Sequence, residues 1–155
     1  MISNITLIYS ENQYRVKMRC LFLGVITLLA VQAQEYTEEE KGKLKQIHDS
    51  CLKDSGVDIA VVEKAINGEF TEDPKFKAQA LCVYTSLGAI DDSGTINEEK
   101  VFEILLKSFP NEMVIRTSVK HCIGKKDTPQ ETVFQFSKCL RSLAPKDLNV
   151  KMFAL

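Results

Sequence analysis

Cys51, Cys82, Cys122 and Cys139 stand as C-x30-C-x39-C-x16-C, each inside a stretch of helical periodicity. Cross-linked, they would fix helices against one another, and no other feature limits the fold so strongly. Whether they pair depends on compartment. Residues 21–31, LFLGVITLLAV, are apolar but fall short of the roughly 20 residues a membrane span needs. Arg15, Lys17 and Arg19 precede the run, and Val31-Gln32-Ala33 offers small residues for cleavage, the order of a secretory signal peptide. Residues 1–33 therefore read as a leader, with 1–17 an upstream extension and 18–33 the signal peptide starting at Met18. Cys20 and the sequon Asn4-Ile5-Thr6 leave with it. An even number of cysteines in a small secreted chain implies disulfides, and three pairings are open.

Residues 34–155 then form a single domain with a C-terminal tail, 145–155. Those 122 residues suffice for one modest core. They carry 20 acidic and 17 basic residues, a net charge of −3 that argues against a nucleic-acid partner.

Helical periodicity broken by turn signals predicts six short helices. The first starts at Thr37, with Glu40 completing a capping box, and aligns Leu44, Ile47, His48, Cys51 and Leu52 before Gly56. The second runs from Asp58 to Asn67-Gly68. The third starts at Asp73-Pro74 and runs to about Gly88, apolar nearly all round. The fourth follows Asn97. The fifth follows Pro110 and is capped by Asn111, and the sixth runs from Thr128-Pro129 toward Pro145. No alternating strand pattern appears. The fold class expected is all-α.

Two motifs suggest chemistry and fail on their surroundings. His48-Asp49-Ser50-Cys51 resembles the end of the secreted phospholipase A2 active-site helix, but the paired upstream cysteines and glycine-rich calcium loop of that family are missing. Without calcium ligands, nothing would stabilise an oxyanion. Asp91-Asp92-Ser93-Gly94-Thr95-Ile96-Asn97 resembles the middle of an EF-hand loop. Its register would put Ala89 at the first ligand position and Lys100 at the twelfth, and a lysine there opposes calcium. The segment reads instead as a turn and an N-cap. No cysteines share zinc-site spacing, and side chains of the adjacent His121 and Cys122 diverge by about 100° on a helix. No metal, no cofactor and no catalytic residue is expected, so an enzyme such as a small hydrolase is disfavoured.

The cysteine spacing resembles that of the insect odorant-binding and pheromone-binding family, and the resemblance spans the whole of residues 34–155. Cys51 matches that family's first cysteine, Cys82 the third, Cys122 the fourth and Cys139 the sixth. Ala78 and Gln130 occupy the second and fifth positions. Those two are bonded in the family, so one whole bridge is missing, the pattern of the four-cysteine (C-minus) subgroup. The stretches DPKFKAQALCVY, DDSGTIN and FQFSKCL agree with it.

The resemblance implies a compact six-helix domain enclosing an apolar cavity, with Cys51 bonded to Cys82 and Cys122 to Cys139. By chain entropy, each bridge would contribute about 3–4 kcal/mol. It also implies a secreted carrier for odorants, pheromones or other lipophilic semiochemicals, in sensillar lymph or another body fluid. An olfactory receptor or a second copy would be the protein partner, with no membrane span. Helix faces and alignment name Ala80, Tyr84, Thr85, Phe102, Leu105, Val119, Phe136 and Leu140 as ligand contacts. Tyr84 or Thr85 would supply a hydroxyl for a polar head group. Met152 and Phe153 would fold back over the cavity mouth. The alternative from another class is a secreted helical interaction protein of saliva, venom or reproductive fluid on the same scaffold.

Overall fold

A short polar side chain precedes every helix among the described residues, and each one caps it. Thr37 accepts from the Glu40 amide while the Glu40 carboxylate accepts from the Thr37 amide, closing the capping box that starts α1, Glu38–Ser55. Asp58 caps α2, Ile59–Ile66, and Asp73 caps α3, Pro74–Ser86. Asn97 caps α4, Glu98–Leu106, Asn111 caps α5, Glu112–Cys122, and Thr128 caps α6, Pro129–Leu143. Each cap satisfies amides that the first turn would leave unpaired. Gly56 ends α1 at a φ of +63°, a left-handed conformation that costs other residues a steric penalty.

This computed structural model describes residues 36–109 and 111–144. The leader with its cleavage site, Cys20 and the sequon, and the tail with Met152 and Phe153, lie outside the described residues.

The DDSGTIN segment is a tight turn. Asp91 Oδ1 accepts from the Ser93 amide and hydroxyl and from the Thr95 amide, at 2.7–2.9 Å. Those bonds hold the Asp91 carboxyl below its usual range, the Ser93 hydroxyl contributing most. Ile90 and Ile96 meet in an isolated antiparallel bridge, too short to leave an alternating pattern in the sequence. A side chain at Gly94 would meet Pro129 at 3.3 Å, so the turn lies directly against the start of α6.

α1 packs on α3, α3 on α6, α6 on α5 and α5 on α4. The buried apolar residues fall into separate clusters. One gathers Val101, Phe102 and Leu105 of α4 with Ile115 and Val119 of α5 and Phe136 of α6. Another joins Val57, Val62 and Ala65 with Phe76 and Phe134, and Phe70 closes a triad of edge-on rings at 5.8–6.2 Å. A third sets Ala80 of α3 and Val133 of α6 against Ile90. α6 serves all three. Phe134 and Phe136, two residues apart on a 3.6-residue helix, leave it on nearly opposite sides.

Both disulfides join the expected cysteines. Cys51–Cys82 ties α1 to α3 and Cys122–Cys139 ties α5 to α6, each with Cα atoms 5.6 Å apart. Lys77 adds a polar clasp between α3 and α6. Its ammonium pairs with Glu72 and, at 2.6 Å, with Glu131, and lies 4.6 Å from the centre of the Phe134 ring.

Candidate functional site

Between the clusters lies a cavity of about 400 Å³, to which all six helices contribute wall. Well-packed interiors leave few voids larger than a water molecule, so a void of this size is a candidate binding site. It exists because several inward positions carry short side chains. Ala65, Ala80, Ala89, Ser118 and Ser137 all face it, and none reaches far across. Larger apolar groups complete the wall: Leu44 and Ile47 on α1, Val62 and Ile66 on α2, Val83 on α3, Ile104 on α4 and Ile115 on α5.

The polar groups in the wall are mostly engaged. The Tyr84 hydroxyl accepts from the Ser137 hydroxyl at 3.0 Å, linking α3 to α6, while burial raises the phenol's pKa. Tyr36 donates to the Ile104 carbonyl at 3.1 Å, and burial, then the Glu40 charge, raises its pKa. Arg141 Nε donates to the Ile66 carbonyl at 2.8 Å, so a cation serves the C-terminal end of α2. His48 faces the cavity from α1, and burial lowers its pKa against the opposing charge of Asp49. His48 is thus a partly buried member of the α1 stripe, where periodicity aligned it.

Of the residues expected to contact ligand, Ala80, Tyr84, Leu105 and Leu140 line the cavity. Four others do not. Thr85 is solvent-exposed, because one residue beyond Tyr84 turns about 100° away from the wall. Phe102 is buried in the α4–α5–α6 cluster with the Arg116 guanidinium 3.7 Å over its ring. Val119 is wholly buried in that cluster, and Phe136 stands behind the wall, edge-on to Tyr84 at 6.1 Å. All three point inward but spend their surface on packing.

Several wall residues were not singled out from the sequence. Leu44, Ile47 and His48 form the α1 stripe that periodicity identified, without a signal that the stripe faces a void. Gln79, on a helix read as apolar nearly all round, is also in the wall and only 4% exposed. The signal was available. Gln79 lies three residues after Phe76 and four before Val83, on the inward stripe of α3.

Comparisons with known proteins agree with this geometry. The model of the PBP/GOBP family matches residues 33–142. The B2 protein of Tenebrio molitor is 35% identical over 117 residues, 76% of this chain and 90% of that protein. Among solved structures, odorant-binding protein dmelOBP28a from Drosophila melanogaster superposes with a TM-score of 0.58 at 20% identity, over 68% of this chain and 92% of that one. Fatty acid binding protein OBP56a, from the oral disk of the blowfly Phormia regina, gives 0.56 at 27% identity, over 70% and 95%.

Proposed function

The chain belongs to the PBP/GOBP family, and on that premise we propose that it is a non-catalytic carrier sheltering a small hydrophobic molecule in the cavity between its helices. One observation carries this reading: about 400 Å³ of mostly apolar-walled space, to which all six helices contribute. The mechanism is burial. Each 100 Å² of apolar ligand surface removed from water contributes about 2.5 kcal/mol, less the cost of immobilising the ligand. Members of the family are binding proteins rather than enzymes, which sets the hydrolase reading aside.

Ala80, Tyr84, Leu105 and Leu140 are the contacts to expect first. The ligand class is odorants, pheromones or other lipophilic semiochemicals, and the similarity to a blowfly fatty acid binding protein supports an aliphatic chain among them. The leader, 1–33, is removed on secretion, leaving one domain, 34–155, in sensillar lymph or another body fluid. An olfactory receptor or a second copy is its protein partner. No helix among the described residues is long and apolar enough to cross a membrane.

The tail continues from Ala144, which lines the cavity, and in this reading Met152 and Phe153 complete the wall. Deleting residues 148–155 then speeds ligand release, measured by stopped-flow dilution of a bound reporter. An unchanged rate removes the tail from the site.

The test of the function is displacement of an apolar fluorescent reporter such as N-phenyl-1-naphthylamine from the purified protein. A carrier binds one reporter per chain and releases it to aliphatic competitors. Absence of saturable binding would favour the interaction-protein alternative.

A further inference from the structure

Most polar side chains in the cavity wall answer to a neighbour, and Gln79 does not. Its amide makes no hydrogen bond to any described residue, although the residue is only 4% exposed. Every fully buried side-chain nitrogen or oxygen among the described residues has a partner. The amide of Gln79, having none, therefore keeps some accessible surface, and the residue lines the cavity. Its neighbours on the stripe, Phe76, Ala80 and Val83, offer no side-chain hydrogen bond. An amide this little exposed and without a protein partner is placed to pair with whatever enters the cavity.

We propose that Gln79 is the polar anchor of the cavity and selects ligands carrying a neutral hydroxyl on an aliphatic body. The proposal rests on the carrier reading and deepens it. A primary amide presents two donors and an acceptor with two lone pairs, so a hydroxyl can both give it a hydrogen bond and take one. An ether or ester oxygen only accepts and uses half of that capacity. A carboxylate also only accepts, and an uncharged amide cannot offset the desolvation of its charge.

Among the other polar wall groups, His48 and Ser118 also lack a hydrogen bond to a described residue, but both are less deeply buried than Gln79. Tyr84 accepts from Ser137 and keeps only its proton to give, which an ether would take as readily as an alcohol, and Tyr36 has its proton on the Ile104 carbonyl. Arg141 spends Nε on the Ile66 carbonyl but has further N–H groups, making it the rival anchor, and it would favour a carboxylate.

The experiment compares 1-dodecanol with its isomer 1-methoxyundecane, and with dodecanoate, as displacers of N-phenyl-1-naphthylamine. In the native protein the alcohol is expected to bind about five- to tenfold more tightly than the ether. In Q79L that ratio falls to about one, and Q79M repeats the result if leucine disturbs the helix. An alcohol-to-ether ratio unchanged in both folded variants overturns the assignment while leaving the carrier reading intact. So does dodecanoate binding most tightly of the three with the order untouched by Q79L, which moves the anchor to Arg141. No reporter binding to the native protein overturns both readings together.

Discussion

The two larger apolar clusters meet along α6 but are built differently. On one side Phe134 closes an aromatic triad with Phe70 and Phe76, flanked by Val62 and Ala65 of α2 and clasped by Lys77. On the other, Phe136 and Phe102 sit among aliphatic side chains of α4 and α5 around the wholly buried Val119, with no ring-on-ring triad there among the described residues. Cys122, bonded to Cys139, packs against the Phe136 cluster, while Cys51–Cys82 ties α1 to α3. The cavity takes wall from both clusters, Val62 and Phe76 from one, Leu105 and Ile115 from the other. A small helical domain can thus enclose a cavity of this size when its core is divided and its helices are cross-braced.

The largest expected effect breaks one brace at a time. Replacing Cys51 and Cys82 together by alanine should cost about 4 kcal/mol, and the Cys122–Cys139 pair about 3, because the first closes the longer loop. Cys51 is also the more deeply buried, at 1% exposure, so its loss disturbs packing as well. Urea denaturation of the two double variants measures the order, and a reversed order would mean the α5–α6 brace carries the fold.

Next come the two phenylalanines of α6. Phe134→Ala and Phe136→Ala should each cost about 3–5 kcal/mol. Their effects on binding should differ. Phe136 stands behind Tyr84 and Phe134 behind Phe70 and Phe76, so each truncation lets a different stretch of wall retreat and should admit a different set of bulkier competitors. Competitor panels on both variants test this, and identical ligand ranges would refute it.

A gain of stability is expected from restoring the bridge missing from the family pattern. Ala78 and Gln130, both exposed, are each next in sequence to a member of the Lys77–Glu131 pair that already joins α3 to α6. That pair and the Tyr84–Ser137 bond hold the two helices together without the bridge. A78C/Q130C should form a disulfide and raise the melting temperature. Two free thiols in the folded double variant would show that the positions do not meet.

The smallest effect is one of pH. Lys107 and the capping-box amide hold the Glu40 carboxyl down at about 2, from 4.5. A carboxyl depressed on folding contributes stability that is present above about pH 4.5 and is lost as pH falls toward 2. Thermal melts across that window should show a shallower acid slope in E40Q than in the native protein. Equal slopes would show the pair to be solvated and inert, as exposed pairs often are.

Much of this was legible in residue order. Thr37, Asp58, Asp73, Asn97, Asn111 and Thr128 mark the helix starts, since a cap is a local event written in one side chain. Periodicity also marks the inward faces. It does not say whether an inward face meets another side chain or a void, because a void depends on the lengths of residues remote in sequence. Leu105 and Phe102 are both inward on α4, yet the first borders the cavity and the second is covered by Arg116. Gln79 escaped for a related reason, its amide being conspicuous only once its neighbours are known to offer it nothing.

The central claim, that the space between the clusters is the binding site, is tested most directly by filling it. Ala80 faces the cavity from the middle of α3, and a phenylalanine there would occupy part of the void. N-phenyl-1-naphthylamine is expected to bind the native protein one-to-one, and A80F, still helical by circular dichroism, is expected to lose most of that affinity. Binding to helical A80F with native affinity and stoichiometry would place the ligand elsewhere and contradict the account.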